Sequence, residues 1–339
     1  MRANPRTGSV VWIDHFVIPT NDLTAHGAFM EQVFGGYVRF RLPLTTQARL
    51  RGTPIGNFYQ IGRYHDIGVF LQDKMLPPPK PLGEGYPRFG FFVRESDVDY
   101  HRCRLDELKV THSDPVRTSQ DGQEGTAIYF YDPCGNQHEF WAPKELPPGA
   151  MEADNPARVG RISHIVLESR DLGKTAAFYT ELCGLDAIEN ADVAEHTLPL
   201  QLVGGGRIVY KQVAELDERS LGHNVWKGAH MALVVPDDDF VAAYQRFWDK
   251  LPESKVPFGQ ESTVKTAEIG PRTELHGFIA NYGTPDPTKR GTYVYDPDTT
   301  GFHLMGGEAL DGDFAHYAYG WDDVKLLQVH VDRPIDHNQ

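Results

Sequence analysis

Tyr129-Phe130-Tyr131-Asp132-Pro133-Cys134-Gly135-Asn136-Gln137-His138-Glu139-Phe140 reads as strand, tight turn, strand. Aromatic residues flank an Asp-Pro-Cys-Gly-Asn turn, the chemistry that reverses a chain between two strands. The pattern returns as Tyr293-Val294-Tyr295-Asp296-Pro297-Asp298-Thr299-Thr300-Gly301-Phe302-His303-Leu304. Seven residues after each turn aspartate stand Glu139 and His303. A hairpin repeated this closely calls for a search for repeats before any choice of fold.

Four other stretches run apolar and end in Asp: Asp14 to Asp22, Phe89 to Asp97, Ser163 to Asp171 and Ala229 to Asp237. In three of them a histidine precedes the aspartate by seven residues: His15/Asp22, His164/Asp171 and His230/Asp237. The second stretch has Gly90 at that place. Each aspartate reads as a helix N-cap or first-turn acid. The apolar spacing that follows predicts helices over 23–34, 97–109, 172–182 and 237–250. Strand-like sequence follows each helix. The unit is β-α-β-β-β, used four times. The predicted fold class is therefore α+β, with two domains, each of paired βαβββ modules forming an open barrel. The expected boundaries are 1–145 for the first domain, 146–160 for a Pro-rich and charged linker, 161–308 for the second domain and 309–339 for a C-terminal extension. Pro77-Pro78-Pro79-Lys80-Pro81 reads as a stiff connection between modules.

Composition narrows the function. The 339 residues fit two domains, and 40% hydrophobic content supports a sizeable core. A net charge of −14 argues against nucleic acid as a partner. Cys103, Cys134 and Cys183 form no disulfide framework, so a reducing, cytoplasmic setting is the expectation. No apolar run is long enough for a membrane span, and no signal peptide is expected. Fifteen histidines are a surplus, and histidine is the commonest metal ligand. Cys134 reads as an exposed turn residue, Gly204-Gly205-Gly206 as a strand-connecting turn, and the acidic runs at 215–218 and 237–239 as solvated surface.

The repeated module and the Asp-Pro-x-Gly-Asn-x-x-Glu hairpin resemble the vicinal oxygen chelate superfamily, which includes glyoxalase I, bleomycin-resistance proteins and type I extradiol dioxygenases. The resemblance covers about residues 10–306. Four modules fit the extradiol and hydroxyphenylpyruvate-dioxygenase-like enzymes better than the two-module glyoxalases. It implies one divalent metal in one of the two domains, Fe(II) first, with Mn, Zn or Ni as alternatives. Carried over by position, the ligands are His164 and His230 on the first strands of the third and fourth modules, and His303 on the last strand. The family pattern has Glu where His303 stands. Glu308 lies five positions on, an odd offset that turns it to the other face of a strand.

The resemblance also implies three catalytic residues. Tyr293, four residues before the turn proline, would contact substrate. His276, in Gly270-Pro271-Arg272-Thr273-Glu274-Leu275-His276, and His196, in Glu195-His196-Thr197-Leu198, would serve acid–base work. The first half offers His15 and Glu139 but Gly90 in place of a second histidine, and reads as a vestigial, structural pocket. A functional alternative would complete it with His65 or His138, although His138 adjoins Glu139 and should face the other way. The resulting expectation is an extradiol-type dioxygenase cleaving a catechol-like aromatic substrate with O2. The alternatives are a non-oxidative isomerase or lyase of the glyoxalase type and a protein that sequesters a small aromatic ligand. Tyr317, Tyr319 and Trp321 suggest that 309–339 packs on the barrel, on a second subunit of a homo-oligomer, or as a lid.

Overall fold

The computed structural model describes residues 9–42, 56–61, 65–72, 74–120, 122–151, 155–188, 195–202, 206–220, 230–236, 239–257, 277–281, 291–298 and 300–307. His276, Gly204, Gly205, Asp237, Glu308 and 309–339, each singled out above, lie outside them.

Three βαβββ modules are followed by a fourth that carries one additional strand. The first contains β1 (Trp12–Thr20), α1 (Leu23–Phe34), β2 (Tyr37–Leu42), β3 (Gly56–Gln60) and β4 (Asp66–Leu71). The second contains β5 (Arg88–Phe92), α2 (Val98–Glu107), β6 (Val116–Gln120), β7 (Gln123–Tyr131) and β8 (Gln137–Pro143). The third contains β9 (Ile162–Ser169), α3 (Leu172–Phe178), β10 (Asp186–Ala187), β11 (Thr197–Gln201) and β12 (Arg207–Gln212). The fourth contains β13 (His230–Pro236), α4 (Phe240–Lys250), β14 (Glu253–Pro257), β15 (Phe278–Asn281), β16 (Gly291–Tyr295) and β17 (Gly301–Gly307). Two helix starts form as predicted. The Asp22 carboxylate accepts from Thr24 N and Ala25 N, and that of Asp171 accepts from Lys174 N. Asp97 makes no side-chain cap, because its carboxylate accepts from Arg158 Nη1 at 3.0 Å instead.

The modules pair in an order that the linear reading did not anticipate. One sheet has nine strands, β14-β15-β16-β17-β13-β1-β4-β3-β2, and joins the first module to the fourth. The other has eight, β10-β11-β12-β9-β5-β8-β7-β6, and joins the second to the third. The two junctions are antiparallel pairs of first strands, β1 on β13 and β5 on β9. The expected pairing of consecutive modules on either side of residues 146–160 is therefore corrected. That stretch has linker chemistry, but β8 before it and β9 after it are in one sheet. Local composition reports where the chain is irregular and not which strand edges will meet.

Each sheet carries side chains alternately on two faces. Phe16 of β1 stacks on Phe89 of β5, ring centroids 3.9 Å apart, so one apolar core ties the two sheets together. Burying each such phenylalanine contributes about 1.5–3 kcal/mol. The opposite faces hold His15 in one sheet and Glu139 and His164 in the other. No helix among the described residues is long and apolar enough to cross a membrane.

Candidate metal centre

His15, His230 and His303 meet on the first-and-fourth-module sheet. The register of β1 against β13 shifts between Ile13 and His15, so Asp14 is an extra, bulged residue. The bulge brings its carboxylate to the neighbouring ring, where His15 Nδ1 donates to Asp14 Oδ2 at 2.5 Å. His15 Nε2 is thereby aimed the other way. It lies 3.3 Å from His230 Nε2 and 3.1 Å from His303 Nε2. His230 opens β13, and His303 on β17 stands beside Ala232, the same residue that pairs with His15. The three ligand atoms lie within 4.8 Å of one another. Phe58 packs edge-on against His15 at 5.2 Å between ring centroids.

Burial lowers the pKa of two of these rings. Burial pushes His15 down to about 4, against the pull of the nearby Asp66 charge. Burial, and then His15 and His230, hold His303 well below the ordinary histidine range. With Nδ1–H given to Asp14, neutral His15 presents a bare lone pair at Nε2. Imidazole nitrogens at about 2.0–2.1 Å from a divalent ion stand roughly 2.8–3.4 Å apart, from octahedral to tetrahedral angles. The observed separations of 3.1 and 3.3 Å fit that spacing. Asp66 supplies a second sign of fit. It pairs with His15 across β4, and its Oδ2 accepts from Arg39 Nη1 at 2.7 Å. Its buried Oδ1 has no hydrogen-bond partner among the described residues. Burial pushes the Asp66 carboxyl up, against Arg39, and pushes Asp14 up to about 7.

The second-and-third-module sheet has a matching face filled differently. Glu139 is wholly buried and accepts from Arg88 Nε at 3.0 Å, from Gln120 Nε2 and from His164 Nε2 at 3.2 Å. Burial would raise Glu139, but His164 and Arg88 outweigh it and hold the carboxyl below its usual range. A guanidinium thus neutralises the carboxylate where a cation would otherwise be needed. Gly90 faces both Glu139 and His164 across its neighbouring strands. A Cβ there would come within 2.2 Å of His164 Cε1. Gly90→Ala should therefore displace the His164 ring and lower stability by about 1–3 kcal/mol. Urea unfolding checks this, and an unchanged midpoint would refute it.

The predicted site residues thus divide. His230 and His303 come together, whereas His164 belongs to the other sheet and bonds Glu139. His15 occupies the place expected of His164, because the fourth module pairs with the first. The signal was present, since His15 has the same seven-residue spacing to its helix aspartate as His164 and His230. His196 lies in the turn before β11, in the other sheet, with φ 62° and its side chain 66% exposed. Its Nδ1 is 3.3 Å from Gln212 Oε1. Tyr293 is in β16 opposite His303 by backbone register. His65 and His138 do not complete the Glu139 site. His65 Nδ1 donates to Ile13 O at 3.0 Å, and His138 sits among Phe16, Phe34, Phe89 and Phe130.

Paired βαβββ modules curled into open barrels around such a face define the glyoxalase-like fold. Residues 12–140 match the model of the Glyoxalase/Bleomycin resistance protein/Dioxygenase superfamily, and the remaining modules repeat the same fold. Glyoxalase I from Zea mays superposes with a TM-score of 0.56 at 14% identity, covering 94% of this chain and 95% of that one. A Bacillus subtilis subsp. subtilis str. 168 protein, named as a proposed dioxygenase, superposes with a TM-score of 0.57 at 14% identity, covering 88% of this chain and 86% of that one. No curated protein matches the sequence. Among the described residues, His15, His230 and His303 form a group that could hold a metal ion.

Proposed function

We propose that the protein is a mononuclear metal-dependent dioxygenase of the extradiol type, acting on a catechol-like aromatic with O2, and that His15, His230 and His303 hold the metal. The observation that carries this reading is the convergence of three imidazoles on one face. A set of three ligands on one side leaves room for two substrate oxygens and O2. A divalent metal, Fe(II) first, would supply Lewis acidity toward adjacent substrate oxygens and redox access to O2. Neutral ligands leave its double charge uncompensated, which favours a substrate with ionised vicinal oxygens. Asp14 holds the His15 ring in the tautomer that frees Nε2. Phe58 gives an apolar edge for an aromatic ring.

One observation favours a second reading. Asp66 Oδ1 is buried and unpaired, and its carboxyl is shifted up. That is the profile of a fourth ligand or of a base for proton transfer, as a non-oxidative isomerase or lyase would need. An O2 electrode decides between the two. Protein prepared anaerobically with Fe(II) should consume O2 in step with loss of the catechol ring absorbance. Absence of O2 uptake with every catechol, together with anaerobic turnover of a hydroxycarbonyl substrate, would select the non-oxidative reading.

A further inference from the structure

Away from the histidine cluster, a cavity of about 280 Å³ lies between α1 and α2. Glu31, Gln32 and Val33 line it from α1, and Tyr100, His101 and Arg104 from α2. It shares no residue with the proposed metal centre. The end of α1 makes it electronegative. Gly35 caps the helix with φ 66°, and the N–H groups of Gly35 and Gly36 turn back to Glu31 O and Met30 O. The carbonyls of Gln32 and Val33 are left over from that arrangement. Aligned peptide dipoles place about half a negative charge at such an end. The last turn of α1 has no basic residue to meet it and carries the exposed Glu31 instead. Arg104 does not reach across, because its Nη1 donates to Glu107 Oε2 on its own helix at 3.2 Å.

The other helix pair shows what belongs at such a place. α3 continues into a further helical turn, Tyr179–Cys183, which Gly184 caps with φ 65° as Gly35 caps α1. The inward residues Phe240, Ala243 and Phe247 of α4 have the spacing of Val98, His101 and Leu105 of α2, which sets Arg246 where Arg104 stands. Arg246 Nε donates to Leu182 O at 2.8 Å. Leu182 is two residues before its capping glycine, as Val33 is before Gly35. Lys250 of α4 also pairs with Glu181 at 2.8 Å, and the matching places in the first pair hold the uncharged Leu108 and Gln32. One helix pair thus covers its end carbonyl with a guanidinium of its own, and the other has a cavity there. A second observation concerns His101. Burial pushes it down to about 4, its ring is hydrogen bonded to the Arg158 backbone, and it packs on Phe140 at 4.5 Å between ring centroids. Its buried Nε2 has no hydrogen-bond partner among the described residues.

We propose that the cavity between α1 and α2 is a binding site for a small alkylguanidinium ligand, whose head group takes the place that the Arg246 guanidinium holds in the other helix pair. A guanidinium has five N–H donors in a planar fork and no acceptor, which suits a site built of carbonyls and a carboxylate. Val33 O and the Glu31 carboxylate are its acceptors. Tyr100 offers an aromatic face to the cation, and Leu105 and Phe140 give the alkyl stem an apolar wall. An acid ligand of the same size fits poorly, because the helix end and Glu31 both repel it.

The test is isothermal titration of the full chain with n-butylguanidinium. Binding should saturate with a Kd of about 1 mM or tighter, the range open to a ligand of this size. Glu31→Gln should weaken it by at least ~5-fold, the loss of a charge-assisted hydrogen bond. Arg104→Ala, which removes a like charge from the wall, should bind at least as well as wild type. n-Butanol, which has the same stem without the charge, should not compete. Both substituted side chains are at the surface, so the variants should keep the fold, and circular dichroism checks that they do. Absence of saturable binding to wild type overturns the site. Unchanged affinity in Glu31→Gln, or loss of binding in Arg104→Ala, overturns the placement of the cation. Competition by n-butanol would show an apolar gap only and overturns the guanidinium class.

Discussion

His15→Ala should strip the protein of its metal, while His164→Ala should leave metal content unchanged. The two histidines have the same spacing to a helix aspartate and differ in what their modules pair with. His15 Nε2 sits 3.1 and 3.3 Å from its two partners, whereas His164 Nε2 is engaged with Glu139. Loss of an outer hydrogen-bond partner of a metal-binding histidine costs about 10–100-fold in affinity, and loss of the ligand itself should exceed about 100-fold. Asp14→Asn, which weakens the hydrogen bond that orients His15, belongs in the same series at about 10–100-fold. Metal titration and elemental analysis of the purified variants check the order. Loss of metal from His164→Ala with full retention in His15→Ala would refute the proposed centre.

Asp132→Asn should lower folding stability by about 3–5 kcal/mol, the cost of leaving one half of a buried ion pair. Asp132 and His26 are both wholly buried, and the same carboxylate accepts from Cys134 N, Asn136 N and Asn136 Nδ2. Burial disfavours both charges, but their mutual attraction wins. It raises His26 to about 10 and holds Asp132 far below the carboxylate range. A raised histidine contributes stability fully below its unfolded value of about 6.5 and loses it as pH rises through about 10. A depressed aspartate contributes above about 3.9 and loses it as pH falls through its lowered value. The difference between wild type and Asp132→Asn should therefore be widest between about pH 4 and 6.5 and shrink on both sides. Urea unfolding at several pH values measures it. A difference under about 1 kcal/mol at pH 6 would show that the pair is not the clamp it looks like.

Much of this protein was legible in the sequence because it is written locally. Turn chemistry at Asp132-Pro133 and Asp296-Pro297, cap aspartates at Asp22 and Asp171, and apolar periodicity specify the βαβββ module wherever it occurs. Strand alternation likewise placed His138 and Glu139 on opposite faces. Which modules share a sheet is not local. It depends on β1 meeting β13 and β5 meeting β9, contacts between segments over 70 and over 200 residues apart. The choice of His164 as a ligand followed from pairing consecutive modules, and so did the reading of Glu139 as half of an empty pocket. Packing decided both. It set His15 beside His230 and His303, and it turned Arg88 onto Glu139. The sequence by itself determined the repeating unit and the places of its histidines within that unit. Only the tertiary structure decided which three of them share one face, because edge-to-edge strand pairing is set by the energy of the whole assembled core and leaves no mark within a single repeat.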